Sequence, residues 1–236
     1  MNIGLLIAGG VGQRMGQEIP KQFININDKP VIIYTLEAFQ NHPDIDAIAV
    51  VCLDGWHHVL DVYAKQFNIT KLKYIVSGGE NGQGSIRNGV YELEKHFDSD
   101  DIVLIHDAIR PMVSEEIISD CIRVTKEKGN AITVIPCAEA MLVSESQTDS
   151  TEIYNRDHLK RTQTPQAFYI KDICDLHREA IEKGILNSVA SCTLMVELGK
   201  EVYFSKGSEK NVKLTTVEDL DIFKALLTLK RSEWLR

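Results

Sequence analysis

Six apolar runs alternate with six segments of helical period along this chain of 236 residues, and each run stops at glycine or at polar turn residues. The runs cover 3–7, 46–53, 73–77, 102–106, 131–135 and 201–205. A period of 3.6 marks helices over 30–40, 56–66, 84–96, 114–128 and 171–183, and a last one over 217–229. Such alternation dictates an α/β fold: a Rossmann-like, mostly parallel sheet flanked by helices. Ser114 is placed to cap the fourth helix and Gly129 to stop it, while Thr216 and Asp219 have capping-box spacing at the start of the last. Residues 137–165 break the pattern. The part from Glu139 to Thr151 is rich in Ser, Glu and Thr and has no helical period, so 137–165 is expected to protrude as an arm from a single domain spanning 1–236. Arms of this kind mediate contacts between the subunits of dimers.

Composition narrows the partners. Five scattered cysteines have neither Cys-x-x-Cys nor Cys/His metal spacing, and their odd number argues against a disulfide framework. They read as reduced, buried small hydrophobes. A formal charge of -8 disfavours binding to nucleic acid or to an anionic membrane through net charge, so an anionic substrate must be held by a local cluster of cations. No apolar run reaches the length of a membrane span, and the chain starts directly on a strand-like run, which places it in the cytoplasm by default.

The first run supplies the chemistry. Leu6-Ile7-Ala8 leads straight into Gly9, Gly10 and Gly12, then into Arg14 and Lys21. Glycines without a Cβ let backbone N–H groups approach phosphate oxygens, and two cations follow. The stretch lacks the Gly-Lys-Ser/Thr ending of a P-loop, and Met15 stands where a dinucleotide fingerprint needs its third small residue. That reading would also require an acid closing the second strand, whereas Asp28 sits in a loop-like Asn-Ile-Asn-Asp-Lys stretch. Ligands of such sheets bind at the carboxyl ends of strands. There the fourth run delivers His106-Asp107-Ala108-Ile109-Arg110-Pro111, a carboxylate able to hold Mg²⁺ beside a guanidinium for phosphate. The third run ends in Gly78-Gly79-Glu80-Asn81-Gly82-Gln83-Gly84-Ser85, which could read a base or ribose through the backbone. Near the end, Asn211, Lys213 and Thr215 alternate on one face of an extended segment. His57, His58 and His106 read as surface or packing residues.

These motifs resemble the cytidylyltransferases that act on 2-C-methyl-D-erythritol 4-phosphate and on ribitol 5-phosphate. The resemblance rests on Ala-Gly-Gly-x-Gly-x-Arg-Met at 8–15, Pro-Lys-Gln at 20–22, His-Asp-Ala-x-Arg-Pro at 106–111, Thr-Pro-Gln at 164–166 and Asn-Val-Lys-Leu-Thr at 211–215, in family order over nearly the whole chain. It implies transfer of CMP from CTP to a phosphorylated polyol, with release of pyrophosphate, Mg²⁺ as the metal and a homodimer built through the arm. Arg14, Lys21 and Lys213 then match the triphosphate-gripping and catalytic cations, and Asp107 the metal-side acid. Ala8, Gly9, Gly10, Gly12, Gly79 and Ser85 match the surroundings of the nucleotide. Arg110, Thr164 and Arg156 match the acceptor side, Arg156 reaching a neighbouring subunit from the arm. The sequence departs from the family at Gly82, where an arginine is usual, at Glu139-Ala140 in place of Asp-Thr, and at Val189-Ala190 in place of Thr-Asp. Ribitol 5-phosphate is the expected acceptor and methylerythritol phosphate the alternative. A nucleotide-binding protein impaired in catalysis is the rival of another class.

Overall fold

The computed structural model describes residues 1–10 and 19–233, with side chains through Leu229. Gly12 and Arg14 lie outside the described residues. The strands are β1 (Asn2–Ala8), β2 (Asn25–Ile26), β3 (Lys29–Pro30), β4 (Ala47–Cys52), β5 (Leu72–Ser77), β6 (Ile102–Asp107), β7 (Asn130–Pro136), β8 (Met141–Val143), β9 (Glu152–Tyr154), β10 (Lys160–Tyr169) and β11 (Phe204–Lys206). The helices are α1 (Val31–Asn41), α2 (His57–Gln66), α3 (Gly82–Glu94), α4 (Glu115–Lys128), α5 (Ile170–Glu182), α6 (Ser191–Glu197) and α7 (Val217–Glu233). Seven strands form one sheet in the order β11-β7-β10-β6-β1-β4-β5. All its pairings are parallel except those of β10, which runs antiparallel to both β6 and β7.

Both faces of the sheet are covered, which is why its central strands read as unbroken apolar runs. Along β1, Leu6 and Ala8 join the cluster built by α1, α2 and α4, whereas Ile3 and Leu5 point to the cluster built by α3, α5 and α6. The expected caps of α4 are present: Ser114 Oγ accepts from Ile117 N at 3.4 Å, and Gly129 closes the helix at φ 93°. The N-terminus of α7 is held as its spacing predicts, with Asp219 Oδ2 accepting from Thr216 N at 2.8 Å and Asp219 N donating to Thr216 Oγ1 at 3.3 Å.

Three departures from the sequence reading have physical reasons. Residues 160–165, assigned to the arm, belong to the sheet: β10 starts at Lys160, pairs with β7, and shifts register between Thr162 and Gln166. A proline and several polar side chains disguised it, because that stretch serves the cleft rather than a core face. The protruding part is instead the hairpin β8–β9, paired Met141 to Tyr154 and exposed along both strands. The last sheet strand is shorter and later than the run 201–205, and α6 was not expected, being only 7 residues long.

Candidate active site

Register places the chemistry. Ile7 lies opposite Asp107, Ala8 opposite Cys52, and Cys52 opposite Ser77, so the first glycine turn, the acid and the second glycine loop leave the sheet along one edge. Because β10 is antiparallel, its beginning lies at that same edge, and the register shift after Thr162 puts Thr164 beside Asp107. A cleft of about 630 Å³ opens there.

The two glycine loops form one wall. A Cβ on Gly9 would lie 3.2 Å from Ser85 Oγ and 3.5 Å from Gly78 Cα, so the loops nearly touch. Gly79 admits no side chain, since a Cβ there would stand 2.4 Å from the carbonyl carbon of Gly84. Its N–H donates to Ser85 Oγ at 3.0 Å. Asn81 caps α3 by accepting from Gly84 N at 2.9 Å, and Asn81, Gly82 and Ser85 all line the cleft, which puts the positive end of that helix at its wall. Gly82 follows on the wall, and among the described residues nothing lies within 4 Å of where its Cβ would stand.

The opposite wall is an ion-pair group. Asp107 Oδ1 receives Lys213 Nζ at 3.0 Å, and Oδ2 receives Arg110 Nε at 2.9 Å. Arg110 Nη1 also donates to the carbonyl of Asn211 at 2.8 Å, and Asn211 Nδ2 donates to the carbonyl of Thr164 at 2.8 Å. Burial would raise the Asp107 carboxyl, but Lys213 and Arg110 outweigh it and hold the group below its ordinary range, ionised at neutral pH. Lys213 reaches the acid because Leu214 N bonds the carbonyl of Ile109 at 2.9 Å while the Leu214 side chain is buried beside α7. Asn211 and Lys213 thus serve one site, whereas Thr215 turns to Asp219.

His106, fully buried, braces the acid from behind. Its Nε2 lies 3.2 Å from the carbonyl of Arg110, which can only accept, so Nε2 carries the proton and Nδ1 accepts from Thr164 Oγ1 at 3.1 Å. Thr164 Oγ1 in turn accepts from Asp107 N at 3.0 Å. Burial pushes the imidazole down to about 4, keeping it neutral.

Of the residues singled out from the sequence, Ala8, Gly9, Gly10, Lys21, Gly79 and Ser85 line the cleft, as do Asp107, Arg110, Thr164 and Lys213. Arg156 does not line the cleft of its own chain. It sits on the arm in a single turn, Arg156–His158, with its guanidinium on the carbonyl of Ala138. The sequence reading missed Gln22, Gln163, Gln166 and Ser191, which also line the cleft. Gln22 could have been found, since it follows Lys21 in the quoted motif. Gln166 likewise ends the quoted Thr-Pro-Gln motif, whereas Gln163 and Ser191 sit on β10 and α6, elements that periodicity did not reveal. Among the described residues no group of three or more His, Cys, Asp or Glu side chains converges on a metal position. Asp107, whose two oxygens already receive Lys213 and Arg110, would have to share them with a cation that takes its other ligands from water and phosphate.

Two abutting glycine loops and a helix N-terminus facing an acid set between two cations make a site for a phosphorylated nucleotide and an anionic co-substrate, the requirement of a nucleotidyltransferase. The family model "IspD: 2-C-methyl-D-erythritol 4-phosphate cytidylyltransferase" matches residues 3–229, so the chain belongs to that family of cytidylyltransferases. It is 46% identical over 232 residues to a ribitol-5-phosphate cytidylyltransferase of Lacticaseibacillus paracasei, covering 98% of this chain and 99% of the relative. It is 34% identical over 226 residues to a 2-C-methyl-D-erythritol 4-phosphate cytidylyltransferase of Clostridium botulinum, covering 96% and 97%. A solved structure of 4-diphosphocytidyl-2C-methyl-D-erythritol synthase from Anaerococcus prevotii superposes with a TM-score of 0.81 at 23% identity over 96% of both chains, which establishes the fold.

Proposed function

We propose that this enzyme transfers CMP from CTP to ribitol 5-phosphate, giving CDP-ribitol and pyrophosphate. The observation that carries the acceptor is the identity of 46% to a ribitol-5-phosphate enzyme along essentially the full length of both chains, against 34% for the methylerythritol enzyme. The acceptor phosphate is already an anion at neutral pH, so the reaction needs alignment and charge neutralisation rather than a strong base. One phosphate oxygen attacks the α-phosphorus of CTP, forming the new P–O bond as the bond to the β-phosphate oxygen breaks and pyrophosphate leaves with the electron pair.

The residues divide that work. The glycine loops seat the nucleotide, and Lys21, with Arg14, neutralises the triphosphate and the leaving pyrophosphate. Lys213 stabilises the charge that grows on the α-phosphoryl oxygens. Arg110 orients the acceptor phosphate. Asp107 is the anchor for Mg²⁺, which when bound neutralises phosphate charge and templates the in-line geometry. The enzyme works in the cytoplasm, where its nucleotide substrate is made.

A homodimer belongs to the same reading. Leu142 is 65% and Ile153 78% exposed on the β8–β9 hairpin, an apolar surface of the kind that seats against a second copy. Arg156 on that arm reaches the acceptor site of the neighbouring subunit. Mixing Arg156→Ala and Asp107→Ala chains should then restore activity to roughly a quarter of wild type, because half the dimers are mixed and each has one intact site. No recovery would remove Arg156 from a shared site.

The deciding experiment measures pyrophosphate release from CTP with ribitol 5-phosphate, methylerythritol 4-phosphate or glycerol 3-phosphate. Ribitol 5-phosphate should give the highest kcat/KM. Preference for methylerythritol phosphate, the substrate named by the family model, would replace this reading. CTP protection against unfolding without turnover on any acceptor would replace it with nucleotide binding alone.

A further inference from the structure

Gln22 is 2% exposed and follows Lys21 in the turn Lys21–Phe23. Its side-chain amide donates to the carbonyl of Ala8 at 2.7 Å and to the carbonyl of Gly10 at 3.0 Å. Both donors of one NH₂ group are thereby spent on the backbone of the first glycine turn. The peptide unit is planar and trans, so its carbonyl and the next N–H point in opposite directions. Drawing the Ala8 carbonyl onto Gln22 fixes the Gly9 N–H facing away from Gln22. It also sets the height at which Gly9 meets Gly78 and Ser85. The neighbouring Lys21 rides on the same short turn, so one side chain ties the glycine wall to a cation of the cleft.

We propose that Gln22 is a positioning residue for the nucleotide triphosphate: it holds the first glycine turn in its anion-accepting conformation and in register with Lys21. The inference rests on the reading that this cleft holds CTP. It predicts a defect specific to the nucleotide and, in a carboxylate variant, partly reversible by protonation, since a carboxylic acid has one O–H to give where the amide gives two N–H groups.

The test uses Gln22→Glu and Gln22→Met in the full-length protein. Glutamate keeps the shape but at neutral pH offers two acceptors to two carbonyl oxygens. Methionine keeps the volume without any donor, and it preserves a readout if a buried charge prevents folding. Both variants are expected to raise the KM for CTP at least tenfold and to weaken thermal stabilisation by CTP, with the KM for ribitol 5-phosphate changed less than threefold. Burial against carbonyls raises the pKa of the new carboxyl, and its protonated form can donate again. From pH 8 to pH 6 the CTP KM of Gln22→Glu, taken relative to wild type at each pH, should fall several-fold, while that of Gln22→Met stays constant. A wild-type-like CTP KM in both variants overturns the proposal. So does equal loss for both substrates, or a pH response shared by the two variants. A wild-type protein that neither binds nor turns over CTP sinks the functional reading instead, which keeps the two failures distinguishable.

Discussion

At the scale of single residues, the site is governed by a carboxylate shared between two cations. Lys213 is 43% exposed on its side chain, and Asp107 keeps Arg110 when the lysine is removed. Lys213→Ala is therefore expected to leave the melting temperature within a few degrees of wild type while kcat falls by a factor on the order of a hundred or more, the usual effect of deleting a group that stabilises transition-state charge. Steady-state kinetics and a melt on the same preparation check this, and an unimpaired kcat would take Lys213 out of the mechanism. Asp107→Asn is a harsher change. It leaves Lys213 and Arg110 facing each other without the negative charge between them, so both stability and turnover should fall, and a variant as active as wild type would refute the acid's role. The residues with chemistry to offer were legible in the sequence because short motifs carry them: Lys21 in Pro-Lys-Gln at 20–22, Asp107 and Arg110 in His-Asp-Ala-x-Arg-Pro at 106–111, and Lys213 in Asn-Val-Lys-Leu-Thr at 211–215. Their contacts were not. Nothing in the order of residues announces that Asn211 spends its amide on Thr164 or that His106 orients the Thr164 hydroxyl, because such bonds join positions 47 and 58 residues apart.

At the scale of elements, the α7 N-terminus and the arm make separate predictions. Asp219 accepts from the backbone of Thr215 and Thr216 and from the Thr215 hydroxyl, anchoring the helix that covers Leu214 and so the segment bearing Lys213. Asp219→Ala should destabilise by about 1–2 kcal/mol in urea unfolding, the scale of a lost N-cap. An unchanged unfolding midpoint would show that the segment is held by Leu214 and Asn211 alone. On the hairpin, Ile153→Asp puts a charge at the middle of the proposed subunit contact and should convert a dimer to a monomer by light scattering, with the circular dichroism spectrum unchanged. Persistence of the dimer would move the interface elsewhere. Long elements such as α4 were readable from period and caps. β10 was not, since a strand that runs antiparallel inside an otherwise parallel sheet, carries Pro165 and turns polar residues to a cleft has no periodicity to display.

At the scale of the whole molecule, two buried histidines tie the fold to pH. His106 and His177 are both held near a pKa of about 4, by burial in each case, with Arg87 adding repulsion at His177. Unfolded, each titrates near 6.5, so the unfolded chain binds more protons between those values. Stability is full above about pH 6.5 and declines as pH falls towards 4, by on the order of 3 kcal/mol for each histidine at the limit. His177 offers the cleaner test because neither ring nitrogen has a hydrogen-bond partner among the described residues. His177→Leu should flatten the loss of stability between pH 7 and pH 5 in urea unfolding, and an unchanged slope would exclude His177 as its source. What the linear order of residues determined by itself is the layered α/β architecture and the inventory of charged and glycine-rich loops, because apolar period and turn chemistry are local properties. What only the folded molecule decided is which loops meet. The parallel register sets Ile7 against Asp107, the reversed β10 carries Thr164 to the same edge, and Gln22 folds back on the glycine turn. Those are encounters between distant segments, and they exist only once the sheet has closed its order.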